Sequence, residues 1–96
     1  IDAGAVDVVV HAGDIGYADA HVRRGKNDVY EDEWNAFYRH VEPIAARVPY
    51  MTSPGTHDVC RWGHNNDKFL DYDARNPMPW RESGAADNGY YSFTLQ

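Results

Sequence analysis

Two short stretches carry the residue types that chemistry needs. "HAGDIGYADA" (11–20) runs an apolar segment into Gly13-Asp14 and sets a phenol, Tyr17, three positions beyond the carboxylate. "PGTHD" (54–58) follows a second apolar segment and offers Thr56, His57 and Asp58. Carboxylate, phenol and hydroxyl are hard oxygen donors, and imidazole is a nitrogen base or ligand. Brought together they suit a metal ion and a phosphate. Taken singly, each residue is unremarkable. An Asp after Gly is usually a turn residue, and His-Asp beside Pro-Gly can be a polar turn. The argument rests on two such loops coinciding.

Whether they coincide depends on the elements that carry them. "VDVVVHAG" (6–13) is a β-branched run closed by glycine, the pattern of a strand covered on both faces. "YADAHVRRGKNDV" (17–29) is polar, broken by Gly25, and reads as a loop. From Tyr30, helical spacing sets in: Trp34, Phe37, Val41 and Ile44 recur, with "EDE" (31–33) at the favourable end of the helix dipole. Asn27 or Asp28 can cap this helix. Pro43 ends or kinks it, with another turn in "IAAR". "VPYMTS" (48–53) is the second strand, punctuated by Pro54-Gly55. Strand, long helical crossover, strand is a βαβ unit, which makes the two strands parallel. Functional groups in such sheets gather beyond the carboxyl ends of the strands, and both loops lie there. Further on, 66–76 reads as a short helix, 77–89 as loop, and "YYSFTLQ" (90–96) as a third strand by its alternation and aromatic content.

Composition narrows the class. The 96 residues make at most one domain, 43% hydrophobic and 14% aromatic, which is globular rather than disordered. A net charge of −6 provides no basic stripe for a phosphate backbone, so nucleic acid is not an expected partner. No apolar run has membrane-spanning length, and Val6–Val10 is interrupted by Asp7. Cys60 is the single cysteine, so no internal disulfide forms. His11, within a strand, reads as a hydrogen-bonded core residue, and His21, His40 and His64 as surface residues.

"HAGDIGYAD" (11–19) followed by "PGTHD" (54–58) resembles the purple acid phosphatases, a branch of the calcineurin-like metallophosphoesterases. "EWNAFYRHVEPIAARVPYM" and "NPMPWRESG…NGYYSF" are also similar to that family, so the likeness spans nearly the whole chain. It implies an α/β fold, a partial metallophosphoesterase domain over 1–96. The βαβ unit with parallel strands would belong to a β-sandwich flanked by helices and truncated at both ends. It implies an acid phosphatase acting on small phosphate monoesters, with Fe(III) and a divalent ion (Zn, Fe or Mn) as cofactors. A secreted, lysosomal or vacuolar setting is also implied.

Carried over by residue, Asp14 bridges the two metal ions and Tyr17 ligates the ferric ion, giving phenolate-to-iron colour. Thr56 stands where the family usually has an Asn ligand to the divalent ion, and His57 contacts the substrate phosphate. Thr56 departs from the pattern: its hydroxyl is shorter by one bond and a poorer donor than an amide oxygen, so a water bridging it to the ion is expected. Asp2-Ala3-Gly4 superficially matches the family's first ligand motif, but Asp2 stands too close to Asp14 for a crossover between parallel strands. It reads as the tail of an upstream helix. With part of the ligand set only, the 96 residues alone are expected to be inactive. Two other readings are a non-catalytic relative that has lost its metals and a diesterase or nucleotide hydrolase of the same fold. The oligomeric state is not legible.

Overall fold

A computed structural model describes residues 4–19, 27–59 and 69–96. Asp2 and Ala3 of the expected upstream helix tail, residues 20–26 of the expected 17–29 loop and residues 66–68 lie outside this set, as do His21, Cys60 and His64. The βαβ unit is present. Strand β1 (Val9–Ala12) and strand β2 (Tyr50–Ser53) pair in parallel, with Val9 opposite Tyr50 and Ala12 opposite Ser53. Helix α1 (Asn27–Ala45) makes the crossover. It starts at Asn27, three residues before the Tyr30 read from the spacing, and so includes the two residues expected to cap it. Pro43 lies within α1, which continues two residues past it before Ala46 N–H and Val48 N–H close the end on Glu42 and Ile44 carbonyls. A short helix α2 (Leu70–Arg75) follows, inside the expected 66–76.

The core forms where α1 and α2 face the loop after β1. Trp34 and Tyr72 are fully buried, joined by Ile15 and Ala18, and Phe37, Tyr38 and Phe69 pack around them. Trp34 stacks on Tyr38 with centroids 6.1 Å apart. The helical spacing that put Trp34 and Phe37 on one face of α1 is thus the spacing that builds this core. Asn76 terminates α2 by returning its backbone and side-chain N–H groups to the Tyr72 carbonyl, and its Oδ1 accepts the Tyr38 hydroxyl at 2.5 Å. Asn88, buried, fastens the following loop through Met78 N–H (3.1 Å) and the Asn76 carbonyl (2.6 Å).

Two strand expectations change. Val10 is 68% exposed and Ala12 is exposed, so one face of β1 is open rather than covered. Residues 90–96 form no strand. The reason is local: Thr52 N–H donates to Met78 Sδ (3.4 Å), and its carbonyl accepts the Tyr91 hydroxyl at 2.5 Å. Side chains thus take the ladder positions on the edge of β2 that a third strand would need. His11 keeps its hydrogen-bonded role, paired with the Tyr50 hydroxyl at 3.0 Å, but is half-buried. Among the described residues no helix is long and apolar enough to cross a membrane.

Candidate active site

Both strands end in a glycine because their loops must touch. A Cβ on Gly13 would lie 2.9 Å from Gly55 Cα, and one on Gly55 would lie 2.3 Å from Asp14 N. Only hydrogen fits at such separations. Gly13 (φ +73°) then turns the chain into Asp14 (φ +52°), and Tyr17 (φ +50°) turns it again. Left-handed backbone is mild for Asp but costly for an aromatic residue, so the surroundings must hold Tyr17 there. Trp34 supplies part of that support: its indole is where a Cβ on Gly16 would make contact, at 3.5 Å.

The second loop presents residues to the first. After Gly55 a single 3-10 turn, Thr56–Asp58, aims the His57 backbone N–H at Asp14 Oδ1 (2.9 Å). Tyr17 Oη donates to Asp14 Oδ2 over 3.4 Å, and the Thr56 hydroxyl bonds the same carboxylate. These donors hold the Asp14 carboxyl below its ordinary range, the His57 N–H contributing most, against a smaller desolvation that opposes it. The Asp14 charge in turn raises the Tyr17 phenol, with desolvation adding to it. The Tyr17 and His57 rings lie face to face, centroids 4.5 Å apart and tilted by 31°. The structure therefore brings Asp14, Tyr17, Thr56 and His57 into one cluster at the carboxyl ends of β1 and β2.

Two acids complete the cluster that the residue types alone did not single out for these roles. Asp19, 5% exposed, accepts His57 Nδ1 at 2.8 Å. That contact fixes the imidazole with Nδ1 occupied and Nε2 turned away from Asp19. The available signal was "YAD", a second carboxylate two positions after Tyr17. Asp58 is fully buried and accepts Ile15 N–H at 2.9 Å and Gly55 N–H at 2.8 Å. Burial raises its carboxyl, opposed by those two backbone donors and by the Asp14 N–H. No signal in the sequence distinguishes it from an ordinary turn residue.

The donor chemistry fits a hard cation. Asp14 is held ionised, and the Tyr17 phenol and Thr56 hydroxyl both bond its oxygens, so three hard oxygen donors share one place. A cation there would take over from the phenolic proton that now bonds Asp14. The set is partial: among the described residues no three His, Cys, Asp or Glu side chains form a ready-made cation site.

The chain is also similar to known proteins. Residues 1–95 match the family model of the calcineurin-like phosphoesterases, and the chain belongs to that family. Its relatives include the probable purple acid phosphatase 20 of Arabidopsis thaliana, 35% identical over 93% of this chain and 19% of the relative. Purple acid phosphatase 22 of the same plant is 35% identical over 99% of this chain and 20% of its own length. Acid phosphatase type 7 of Danio rerio is 36% identical over 96% and 17%. The chain thus spans about a fifth of the length of these curated relatives.

Proposed function

We propose that the protein carrying this segment hydrolyses phosphate monoesters, and that the segment supplies one side of a dinuclear metal centre. The observation that carries the reading is the Asp14 carboxylate, held ionised by the opposite loop and bonded by both the Tyr17 phenol and the Thr56 hydroxyl. In this reading Asp14 would hold both ions, Tyr17 would hold the Fe(III), and Thr56 would serve the divalent ion by way of a water. When bound, the metals would neutralise phosphate charge and make a bound water acidic enough to attack.

The remaining work falls to the chain's own residues. Asp19 accepts from Nδ1 and fixes the ring orientation of His57, so that in its doubly protonated form the Nε2–H is free to hydrogen-bond a phosphate oxygen or give its proton to the departing alkoxide. Phosphoryl transfer needs positioning and charge neutralisation above all, and a tethered imidazole serves both. The lowered Asp14 carboxyl keeps its charge to a lower pH than an ordinary aspartate does.

The test uses the full-length protein. Purified from cells supplied with iron and zinc, it should hydrolyse p-nitrophenyl phosphate faster than bis-p-nitrophenyl phosphate, and it should show a visible absorption band. Tyr17→Phe should remove the band without shifting the melting temperature. Thr56→Asn should lower the zinc concentration needed for half-maximal activity. A colourless protein without bound iron would overturn the reading, and a faster diester rate would move the substrate class to diesters.

A further inference from the structure

We infer that Asp58 is a positioning residue, a buried carboxylate that clamps the two strand-end loops in register and so sets where Asp14 and Tyr17 stand against Thr56 and His57. The inference rests on the functional reading above only for its catalytic consequence; the clamp itself stands on geometry. Asp58 Oδ1 takes Ile15 N–H from the first loop at 2.9 Å, and Oδ2 takes Gly55 N–H from the second at 2.8 Å. One side chain thus spans both loops. Asp14 makes the converse link, from the first loop to His57 N–H of the second at 2.9 Å. The two acids are therefore exchanged between loops, each satisfying backbone donors of the other.

The neighbouring contacts leave the loops little room to find another arrangement. Gly13 and Gly55 already touch, as the missing Cβ positions show. Ile15, whose N–H Asp58 holds, also places its side chain in the core with Trp34 and Tyr72. A displacement of Ile15 would be passed through Gly16 to Tyr17, which sits in a backbone conformation that aromatic residues avoid. Asp58 is 0% exposed, so its backbone donors, Asp14 N–H among them, are left without solvent if the carboxylate is lost. Asp58 does not need to touch substrate or metal: it acts through the backbone of residues that would.

Hydrogen–deuterium exchange on the full-length protein tests the clamp without reference to activity. In the wild type, the amides of Ile15 and Gly55 should exchange slowly although both lie in loops. In Asp58→Asn at least one of these bonds is lost whichever way the amide turns. Exchange in segments 13–17 and 53–57 should then rise by about ten-fold or more, while residues 34–41 of α1 stay as they were. For the phosphatase reaction, kcat should fall by about 100-fold with KM changed less than about threefold, and Asp58→Ala should lose more. Equal acceleration across all segments would reduce Asp58 to a general stabiliser, and unchanged exchange would remove the clamp altogether. Should Asp58→Asn not fold, rapid exchange of Ile15 and Gly55 in the wild type is enough to overturn the inference, and slow exchange supports it. A wild type that hydrolyses no phosphate ester would defeat the functional reading while leaving the exchange comparison to decide the clamp.

Discussion

The strand ends and the helical side of this molecule are held together by different means. At the strand ends the contacts are polar and reciprocal: Asp14 and Asp58 each bond backbone N–H groups of the opposite loop, and two glycines meet without side chains. On the helical side Trp34 and Tyr72 are enclosed by Phe37, Tyr38 and Phe69. Apolar packing is non-directional and can settle into several arrangements of similar energy. Hydrogen bonds to a buried carboxylate weaken steeply with angle and distance, so they fix positions. The molecule uses the forgiving kind of contact to hold its bulk and the exacting kind where the candidate site lies. Ile15 belongs to both, with its N–H on Asp58 and its side chain in the core.

The largest expected effect comes from forcing the strand ends apart. Gly55→Ala would set a methyl 2.3 Å from Asp14 N and 2.4 Å from Asp14 Oδ1. The nearer of these is backbone, which cannot swing aside. A loss of about 3 kcal/mol or more is expected in urea denaturation. Gly84→Ala is the comparison. Its Cβ would meet nothing within 4 Å, and only the positive φ of 79° penalises it, so about 1 kcal/mol should be lost. Equal losses at the two positions would mean that the glycine contact does not govern the strand ends.

The helical side should reveal itself in alkali. Burial pushes both Tyr38 and Tyr72 up to about 12, Tyr38 eased by its bond to Asn76 and Tyr72 by its bond to Thr52. Their unfolded values lie near 10. Between about pH 10 and 12 the unfolded chain has released these protons and the folded chain has not, so stability falls as pH rises through that window. Below about pH 10 the contribution is constant and fully present. The loss by pH 12 should be on the order of 2 kcal/mol for each residue. Denaturation midpoints at a series of alkaline pH values, with phenolate absorbance followed in parallel, would measure it. Tyr72→Phe should flatten part of the slope; an unchanged slope would mean that Tyr72 ionises freely and that the core is looser than its burial indicates.

The two regions also differed in how far the sequence disclosed them. Helical spacing from Trp34 announced α1 and its buried face, and the β-branched run and glycine endings announced β1, β2 and their parallel pairing. These are periodic or punctuated signals that local physics writes into the chain. Asp14, Tyr17, Thr56 and His57 were legible as residue types at strand ends, because parallel topology sends both ends the same way. Asp58 and Asp19 were not legible in their roles. Each depends on backbone N–H groups or a ring nitrogen some forty positions away, brought near by folding alone. The same limit explains residues 90–96. Alternation signals a strand that needs an edge, and the β2 edge is occupied by the Met78 and Tyr91 side chains.

The smallest effect is expected at the rim of the helical side, and it separates packing from charge there. Arg75 at the end of α2 donates to Asn35 Oδ1 at 2.8 Å, pairs with Glu31, and lies over the Trp34 ring with its Cζ 5.9 Å from the centroid. Three partners look like a strong anchor, but the Glu31 side chain is 44% exposed and Asn35 is exposed, so water competes for both polar contacts. Exposed ion pairs contribute about 0–1 kcal/mol, and a cation over an aromatic face adds a similar amount. Arg75→Met keeps most of the stem that covers Trp34 and removes the charge with its two exposed polar contacts, so the loss should stay near 1 kcal/mol or below and shrink in 1 M salt. Urea denaturation at low and high salt reads it directly. A loss approaching that of Gly55→Ala, insensitive to salt, would show that directional polar contacts govern the helical side as well, and the contrast between the two regions would fall.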